Sequence, residues 1–176
     1  MRKVILFIAM SLDGYIADCQ GGVGWLQGQN QQEEGEDTYS AFIQRVDTVV
    51  MGWNTYDQIV TELSPDQWVY DQQTSYVITH RSLLSTGKII FTSKSPCLLV
   101  KELKQKEGKN IWICGGAKVA EQLMDEDLID RYEISVIPVI LGSGIPLFGG
   151  VRKEIPLALV DVQQDNGIVN MIYTRR

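Results

Sequence analysis

The chain has few cysteines, a shortage of positive charge and no long hydrophobic run, and each shortage argues against a class of protein. Cys19, Cys97 and Cys114 are scattered and form no CxxC pair, which argues against a disulfide framework or a zinc site and suits a reducing, cytoplasmic setting. The 16 Lys and Arg residues are outnumbered by 22 Asp and Glu residues, so nucleic-acid binding is not expected. No apolar run approaches the roughly 18 residues that a membrane span needs.

The composition that is present is ordinary for a globular protein. Hydrophobic residues make up 44% of the 176 residues and charged residues 22%, which is enough apolar material for one sizeable core. There is no internal repeat, linker or low-complexity segment. The chain is therefore predicted to form a single domain over residues 1–176.

Short apolar runs alternate with helical spacing along most of the chain. The runs predict strands at residues 4–10, 47–51, 75–79, 88–91, 110–114 and 130–138. Helices are predicted at 34–46, 55–63, 98–106 and 117–124, with loops at 11–32 and 139–150. Two last apolar runs, 155–165 and 167–174, flank an Asn-Gly hairpin signal. This order predicts a three-layer α/β/α fold with a mainly parallel central sheet and an antiparallel C-terminal hairpin.

The stretch IWICGGAKVAEQLM places two glycines between a predicted strand and a predicted helix, with no side-chain cap. In open α/β sheets, ligands bind at the carboxyl ends of strands, where a helix N-terminus offers unbonded N–H groups and a partial positive charge. Gly115 and Gly116 would let that backbone approach an anion closely. The stretch matches neither GxGxxG nor the P-loop, so on its own it fits a tight packing turn as well as a phosphate site.

Two other predicted strands end in residues suited to phosphate. MGWNTY joins a strand end to a helix start, where Thr55 could cap the helix or donate its hydroxyl to a phosphate. THRS supplies Arg81, whose guanidinium matches phosphate geometry, and His80 beside it. Taken alone, Arg81 is better explained as a solvated loop residue. Three such strand ends along one sheet edge predict a single elongated, phosphorylated ligand that touches all of them.

Five stretches in order, spanning residues 4–148, resemble the dihydrofolate reductase superfamily. They are AMSLDGYIA, MGWNTY, YVITHR, IWICGGAKVAEQLM and DRYEISVIPVILGSGIPLF. Within that superfamily the chain is most similar to the reductase domain of bacterial riboflavin biosynthesis and its small stand-alone relatives. The resemblance implies an NADPH-dependent reductase that transfers hydride to a small heterocyclic or imine/carbonyl substrate, as in 5-amino-6-(5-phosphoribosylamino)uracil reduction. It also implies a possible homodimer, formed through the C-terminal strands.

The resemblance further implies that NADPH lies along the carboxyl edge of the sheet. Gly115 and Gly116, joined by a cis peptide as is common in the family, would hold the pyrophosphate with the N–H groups of Ala117, Lys118 and Val119. The other implied cofactor contacts are Ala9, Ile16 and Ala17 around the nicotinamide, Cys114 behind it, Gly52, Trp53, Asn54 and Thr55 near the phosphates, and Thr79, His80 and Arg81 at the adenosine end. Trp25 and Tyr39 are the implied substrate contacts.

The chain departs from the family at two positions. Gly52-Trp53-Asn54 stands where the family usually has Gly-Arg or Gly-Lys, which leaves Arg81 to recognise the 2′-phosphate or allows NADH as well. Trp53 would then stack on adenine or pack at the start of the helix. Phe7 stands where the riboflavin reductases often carry a lysine, and this weighs against the riboflavin-pathway substrate.

The proton source is the remaining question. Family spacing from Trp25 leads to Asn30, which cannot donate a proton as a carboxyl group does, whereas counting from the helix end leads to Asp37 beside Tyr39. Asp13 is a second candidate, and stabilisation of a helix start explains the acidic residues near Asp37 better than catalysis does. Two other functions stay open: dihydrofolate reductase-type pterin reduction, and a dinucleotide-binding module without turnover. No zinc deaminase motif occurs, and no metal is predicted.

Overall fold

The computed structural model describes residues 2–30 and 38–176. Its strands are β1 (Val4–Ser11), β2 (Tyr15–Ala17), β3 (Val46–Gly52), β4 (Thr74–Ile78), β5 (Ile89–Thr92), β6 (Asn110–Gly115), β7 (Arg131–Ile137), β8 (Ile145–Pro146), β9 (Leu157–Asp165) and β10 (Ile168–Arg175). Its helices are α1 (Thr38–Ile43), α2 (Trp53–Gln58), α3 (Pro96–Lys104) and α4 (Ala117–Asp125), and a π-helical segment, Ile59–Leu63, continues α2. No helix in these two ranges is both long and apolar enough to cross a membrane.

Eight strands form one sheet in the order β5-β4-β3-β6-β1-β7-β10-β9. The six strands from β5 to β7 are parallel, and β10 and β9 complete the sheet as antiparallel strands. The sheet therefore confirms the predicted parallel centre with an antiparallel C-terminal hairpin. Because the parallel strands run in one direction, the carboxyl ends of β1, β3, β4, β6 and β7 all lie at one edge.

The core has two halves, one on each face of the sheet, because successive strand residues point to opposite faces. Along β6, Ile111 and Ile113 pack on the side covered by α3 and α4, whereas Trp112 packs on the side of α1. Phe42 of α1 and Ile59 of the π-helical segment are buried on that second side. Each fully buried side chain of this size contributes about 2 kcal/mol. The predicted three-layer arrangement is confirmed.

Several predicted boundaries were wrong. The predicted helix 34–46 ends at Ile43, and Val46 instead opens β3, where it pairs with Asn110; residues 34–37 lie outside the described part of the chain. The helix predicted to begin at 98 begins at Pro96, where the Ser95 side chain caps it by accepting from Leu98 N–H. The prediction also missed β2 and β8, two very short strands that pair with each other across a large sequence separation and so leave no periodic signal.

The C-terminal hairpin turns at Asn166 and Gly167, as predicted. Both have positive φ, 45° and 76°, which is the type I′ geometry that matches the twist of paired strands. The outer strand, β9, exposes apolar side chains, with Leu159 57%, Val160 52% and Val162 53% exposed. The sheet therefore ends in an apolar edge strand.

Candidate functional site

The strongest ligand-binding geometry lies where β6 ends and α4 begins. The Gly115–Gly116 peptide is cis, as the family resemblance implied, and Gly116 is the N-cap of α4 without a side-chain hydrogen bond. The Val119 N–H donates to Gly116 O at 3.0 Å. It is therefore not available to the pyrophosphate, although the resemblance implied that it would be. Within the described residues, the Ala117 and Lys118 N–H groups have no protein acceptor. Two N–H groups at the start of α4, rather than the three expected, are therefore available to a ligand.

The side of the two glycines that a side chain would fill is open. A Cβ built on Gly115 or Gly116 meets a single neighbour within 4 Å, the Thr55 hydroxyl oxygen, at 3.5 and 3.6 Å respectively. The Thr55 hydroxyl has no hydrogen-bond partner in the described part of the chain, and α2 is capped by Gly52 without a side-chain bond. A hydroxyl and a bare helix start thus face the same space, which suits a phosphate group.

The starts of α2 and α4 lie side by side because Gly52 has no side chain. A Cβ built there would come within 3.3 Å of Val119 Cγ2, tighter than an ordinary contact, and 3.9 Å from the Gly116 nitrogen. Val119 itself is buried in the core, so it cannot move away easily. Gly52 therefore allows the close approach of two strand ends, and its implied contact with the cofactor stays a prediction.

Arg81 and Trp53 form a single unit at the end of β4. The Arg81 guanidinium carbon lies 4.2 Å from the centre of the Trp53 ring, a cation–π stack. The buried Thr79 hydroxyl accepts from the Arg81 N–H at 3.2 Å and shapes the turn that presents this side chain. His80 and Asn54 are exposed on either side. The stack orients a guanidinium whose N–H edge stays available for an anion.

The end of β1 is held by the small sheet of β2 and β8. Ala17 is buried, and Gly144 crosses so close to it that a Cβ there would lie 2.2 Å from Ala17 O. Ile16 packs partly buried against the core, and Ala9 is half-buried one strand from β6. These residues therefore form a fixed wall beside the Gly115–Gly116 turn.

Asp13 fastens a loop. Its carboxylate accepts from Ser11 Oγ at 2.6 Å, from Leu141 N at 3.1 Å and from Gly142 N at 2.7 Å. The Ser11 bond, together with the two backbone bonds, lowers the pKa of Asp13, although partial desolvation opposes the shift. A carboxyl group held ionised in this way is a poor proton donor, which weighs against the predicted catalytic role of Asp13.

The structure says less about the other predicted catalytic and substrate residues. Asp37 lies outside the described residues. Trp25 is half-buried and donates its Nε1–H to Gly22 O at 3.1 Å. Tyr39 lies on α1, 38% exposed, with its ring edge-on to Trp112 at 6.0 Å. Their predicted contact with substrate stays a prediction.

Cys114 ends the strand behind the glycine turn. Its Sγ lies 3.6 Å from the Tyr70 hydroxyl, and burial raises the pKa of the thiol to about 11, opposed by the Tyr70 hydrogen bond. Burial likewise raises the pKa of Tyr70. Both groups are therefore neutral near pH 7, and this wall of the site is uncharged. Tyr70 was not singled out from the sequence, because it lies in a loop that no motif marks.

A cavity of about 340 Å³ opens on the α1 face of the sheet, next to β1. Phe7 lines one side, and Ser135 of β7 and Asn170 of β10 line the floor. Sequence reasoning missed these polar floor residues, although alternation along β7 placed Ser135 on the face opposite the buried Ile134. In the two ranges that the structure describes, no group of three His, Cys, Asp or Glu side chains is arranged to hold a metal ion.

Comparison with known proteins gives consistent matches over the whole chain. A family profile described as the RibD C-terminal domain matches residues 2–169. The uncharacterized protein YwjB of Bacillus subtilis is 40% identical, over 99% of this chain and 98% of its own length. The crystal structure of a protein assigned to riboflavin biosynthesis in Shewanella sp. PV-4 superposes with a TM-score of 0.85, at 30% identity, covering 99% of both chains.

A larger protein shares the same fold. It is the diaminohydroxyphosphoribosylaminopyrimidine deaminase/5-amino-6-(5-phosphoribosylamino)uracil reductase of Thermotoga maritima, with a TM-score of 0.72 at 16% identity. The match covers 99% of this chain and 57% of that one. At this identity the likeness concerns the fold alone.

Proposed function

The chain belongs to the RibD C-terminal domain family, and from this premise we propose that it is an NADPH-dependent reductase of a small heterocyclic or imine/carbonyl substrate. The single observation that supports this most strongly is the start of α4. Two N–H groups without acceptors, two glycines with an open side and the Thr55 hydroxyl meet there. Together they suit a pyrophosphate, the group at the centre of a dinucleotide.

The residues present fit the two ends of NADPH. At one end, Arg81 stacked on Trp53 would bind the 2′-phosphate with its remaining N–H donors, which replaces the Gly-Arg or Gly-Lys that the family usually has. Because Arg81 covers one face of the Trp53 ring, adenine would have to stack on the other face. At the other end, the uncharged wall formed by Ala9 and Cys114 suits a nicotinamide ring.

The protein's part in the reaction is binding, orientation and exclusion of water. NADPH supplies the hydride when bound. The α4 start and Thr55 would hold the phosphates, and the wall of β1 and β6 would keep one face of the nicotinamide covered. The cavity on the α1 face lies beside that wall, so a substrate in it and the nicotinamide would be held at a short, fixed separation.

The proton donor that we propose is Asp37, since Asp13 is committed to its loop. Among the described residues that line the cavity, Glu133 is the one carboxylate, and its two oxygens are engaged by Arg45 and Arg131. Its oxygens are therefore committed to these two guanidinium groups. A substrate that resembles the aminouracil of the riboflavin pathway is proposed over a pterin because of the family match.

We also propose a homodimer through β9 and β10. The support is the apolar edge strand, in which Leu159, Val160 and Val162 are more than half exposed. Sedimentation velocity of the wild type and of Val162→Lys tests this, since a buried charge at the interface should shift the protein to monomer.

Titration with NADPH and NADH tests the proposed function. Binding should quench the fluorescence of Trp53, which carries Arg81 on its ring, and enhance that of the cofactor. Micromolar binding of NADPH, with weaker binding of NADH, is expected. If neither cofactor binds below the millimolar range, the reductase proposal fails. Steady NADPH oxidation with a substrate then separates a reductase from a binding module.

A further inference from the structure

The cavity on the α1 face lies directly beside the wall assigned to the nicotinamide. Leu6 of β1 pairs with Ile113 of β6, so the next residues, Phe7 and Cys114, are neighbours on the α1 face. Ala9 points to the same face and pairs with Ser135 of β7, which lines the cavity floor. A substrate seated in the cavity would therefore reach the ring held at Ala9 and Cys114.

A row of neutral polar side chains crosses the cavity floor, beginning at Ala9. Ser135 pairs with Asn170, and Asn170 pairs with Gln163, so the three lie side by side on β7, β10 and β9. Ser135 Oγ donates to Asn170 Oδ1 at 2.6 Å. The row is about 10 Å long, because neighbouring strands are roughly 4.8 Å apart. This length matches a substituent of the size of a pentose.

The row offers donors and acceptors together. Within the described residues, the Asn170 side-chain nitrogen has no acceptor, and Gln163 Nε2 donates to Asp161 Oδ2 at 3.2 Å, which leaves the Gln163 carbonyl oxygen as an acceptor. Hydroxyl groups both donate and accept and can satisfy such a row, whereas a phosphate only accepts. A phosphate would also meet the Gln163 carbonyl and the Asp161 carboxylate.

The charged groups that line the cavity in the described part of the chain are paired with each other or with Arg131. Arg45 is the one cation among its described lining residues, and its two terminal nitrogens lie 3.3 and 3.1 Å from the two oxygens of Glu133. Arg131 Nε donates to the same carboxylate at 2.6 Å. Glu133 is only 7% exposed. A phosphate would have to share Arg45 with the Glu133 carboxylate, whose negative charge would repel it.

We propose that this cavity is the substrate pocket and that the row Ser135–Asn170–Gln163 binds an uncharged, hydroxyl-bearing substituent on the heterocycle, with discrimination against a phosphorylated one. The inference rests on the proposed reductase function. It gives this chain a dephosphorylated substrate class, in contrast to the phosphoribosyl compound named for the Thermotoga maritima protein.

The experiment is calorimetric titration of the NADP⁺-loaded protein with two probes, 5-amino-6-(ribosylamino)uracil and its 5′-phosphate, kept anaerobic. We expect the uncharged probe to bind about tenfold more tightly, and NADPH oxidation to favour it in kcat/KM by a similar factor. Gln163→Leu should weaken binding of the uncharged probe about fivefold, the usual effect of one lost hydrogen bond. Gln164→Leu is the matched control, since this neighbour points to the opposite face of β9 and should change nothing.

Equal or tighter binding of the phosphorylated probe would overturn the inference, as would a failure of both probes to bind. Equal effects of Gln163→Leu and Gln164→Leu would overturn the assignment of the row. Failure of the reductase proposal shows separately, as absence of NADPH binding in the fluorescence titration of the same preparation.

Discussion

Replacement of Gly116 by valine separates an effect on cofactor binding from an effect on folding. Gly116 has extended backbone angles, φ −83° and ψ −167°, which a valine adopts without strain. A Cβ built there has one neighbour within 4 Å, Thr55 Oγ1 at 3.6 Å, which is an ordinary van der Waals distance. We therefore expect Gly116→Val to change the free energy of unfolding by less than about 1 kcal/mol.

The same substitution should abolish useful cofactor binding. The valine methyl groups would fill the open side of Gly116, next to the free N–H groups of Ala117 and Lys118. A hydrogen bond from an N–H group to a charged oxygen contributes about 1.5–3 kcal/mol. Loss of both bonds therefore amounts to roughly 3 kcal/mol or more, which is at least about a hundredfold increase in the Kd for NADPH.

Gly115→Val is the matched control, because it adds the same side chain one residue earlier. Its Cβ would also meet Thr55 Oγ1, at 3.5 Å, but Gly115 has φ +141°, which a valine avoids. We expect this variant to lose about 1–3 kcal/mol of unfolding free energy. Urea unfolding followed by tryptophan fluorescence, and NADPH titration of each folded variant, give the two quantities. The reasoning is refuted if Gly116→Val destabilises the fold as much as Gly115→Val, or if it binds NADPH like the parent protein.

Three further predictions address charge. Arg81→Ala should raise the Kd for NADPH roughly tenfold and leave the Kd for NADH unchanged, because one charge-assisted contact to the 2′-phosphate is lost. Arg152→Ala is the control: it removes an exposed charge near the far end of α4 and should change neither Kd. Asp37→Asn should lower kcat roughly a hundredfold or more in single-turnover assays at an unchanged Kd for NADPH, and an unaltered kcat would remove this carboxyl group from the mechanism. The lowered pKa of Asp13 means that its contribution to stability is present above the ordinary aspartate range and is lost as pH falls through the lowered value. Thermal unfolding of Asp13→Asn should therefore lack this acid-side loss of Tm, and parallel pH profiles for both proteins would contradict the assignment.

Most of the fold could be predicted from apolar runs, because the parallel strands are covered on both faces and so must be apolar along their length. β6 shows this, with Ile111, Trp112 and Ile113 all buried. Where a strand is very short, as in β2 and β8, there is no run to detect, and pairing across the fold creates the strand. The end of the predicted helix 34–46 was wrong because Val46 fits a helical face and a strand equally well until its partner, Asn110, is known.

The candidate site likewise has features that the sequence predicts and contacts that only the fold creates. The glycine turn at 115–116 could be found because both glycines and the absent cap are local features. The Trp53–Arg81 stack could not, since the two residues follow different strands and meet only when β3 and β4 pair. This contact also changes the meaning of Trp53: it stands where the family has a cation, and it holds a cation from the neighbouring strand in that region.

The sequence by itself determined the order of the longer strands and the helices, the hairpin at Asn166-Gly167 and the chemistry at each strand end, because these depend on a few consecutive residues. Only the tertiary structure decided which of these groups share one space. It set Thr55 against the two glycines, bonded the Asp13 carboxylate to the backbone of a distant loop, and built the polar row of Ser135, Asn170 and Gln163 from three strands. Such proximity arises from strand pairing over long separations, and no local pattern records it.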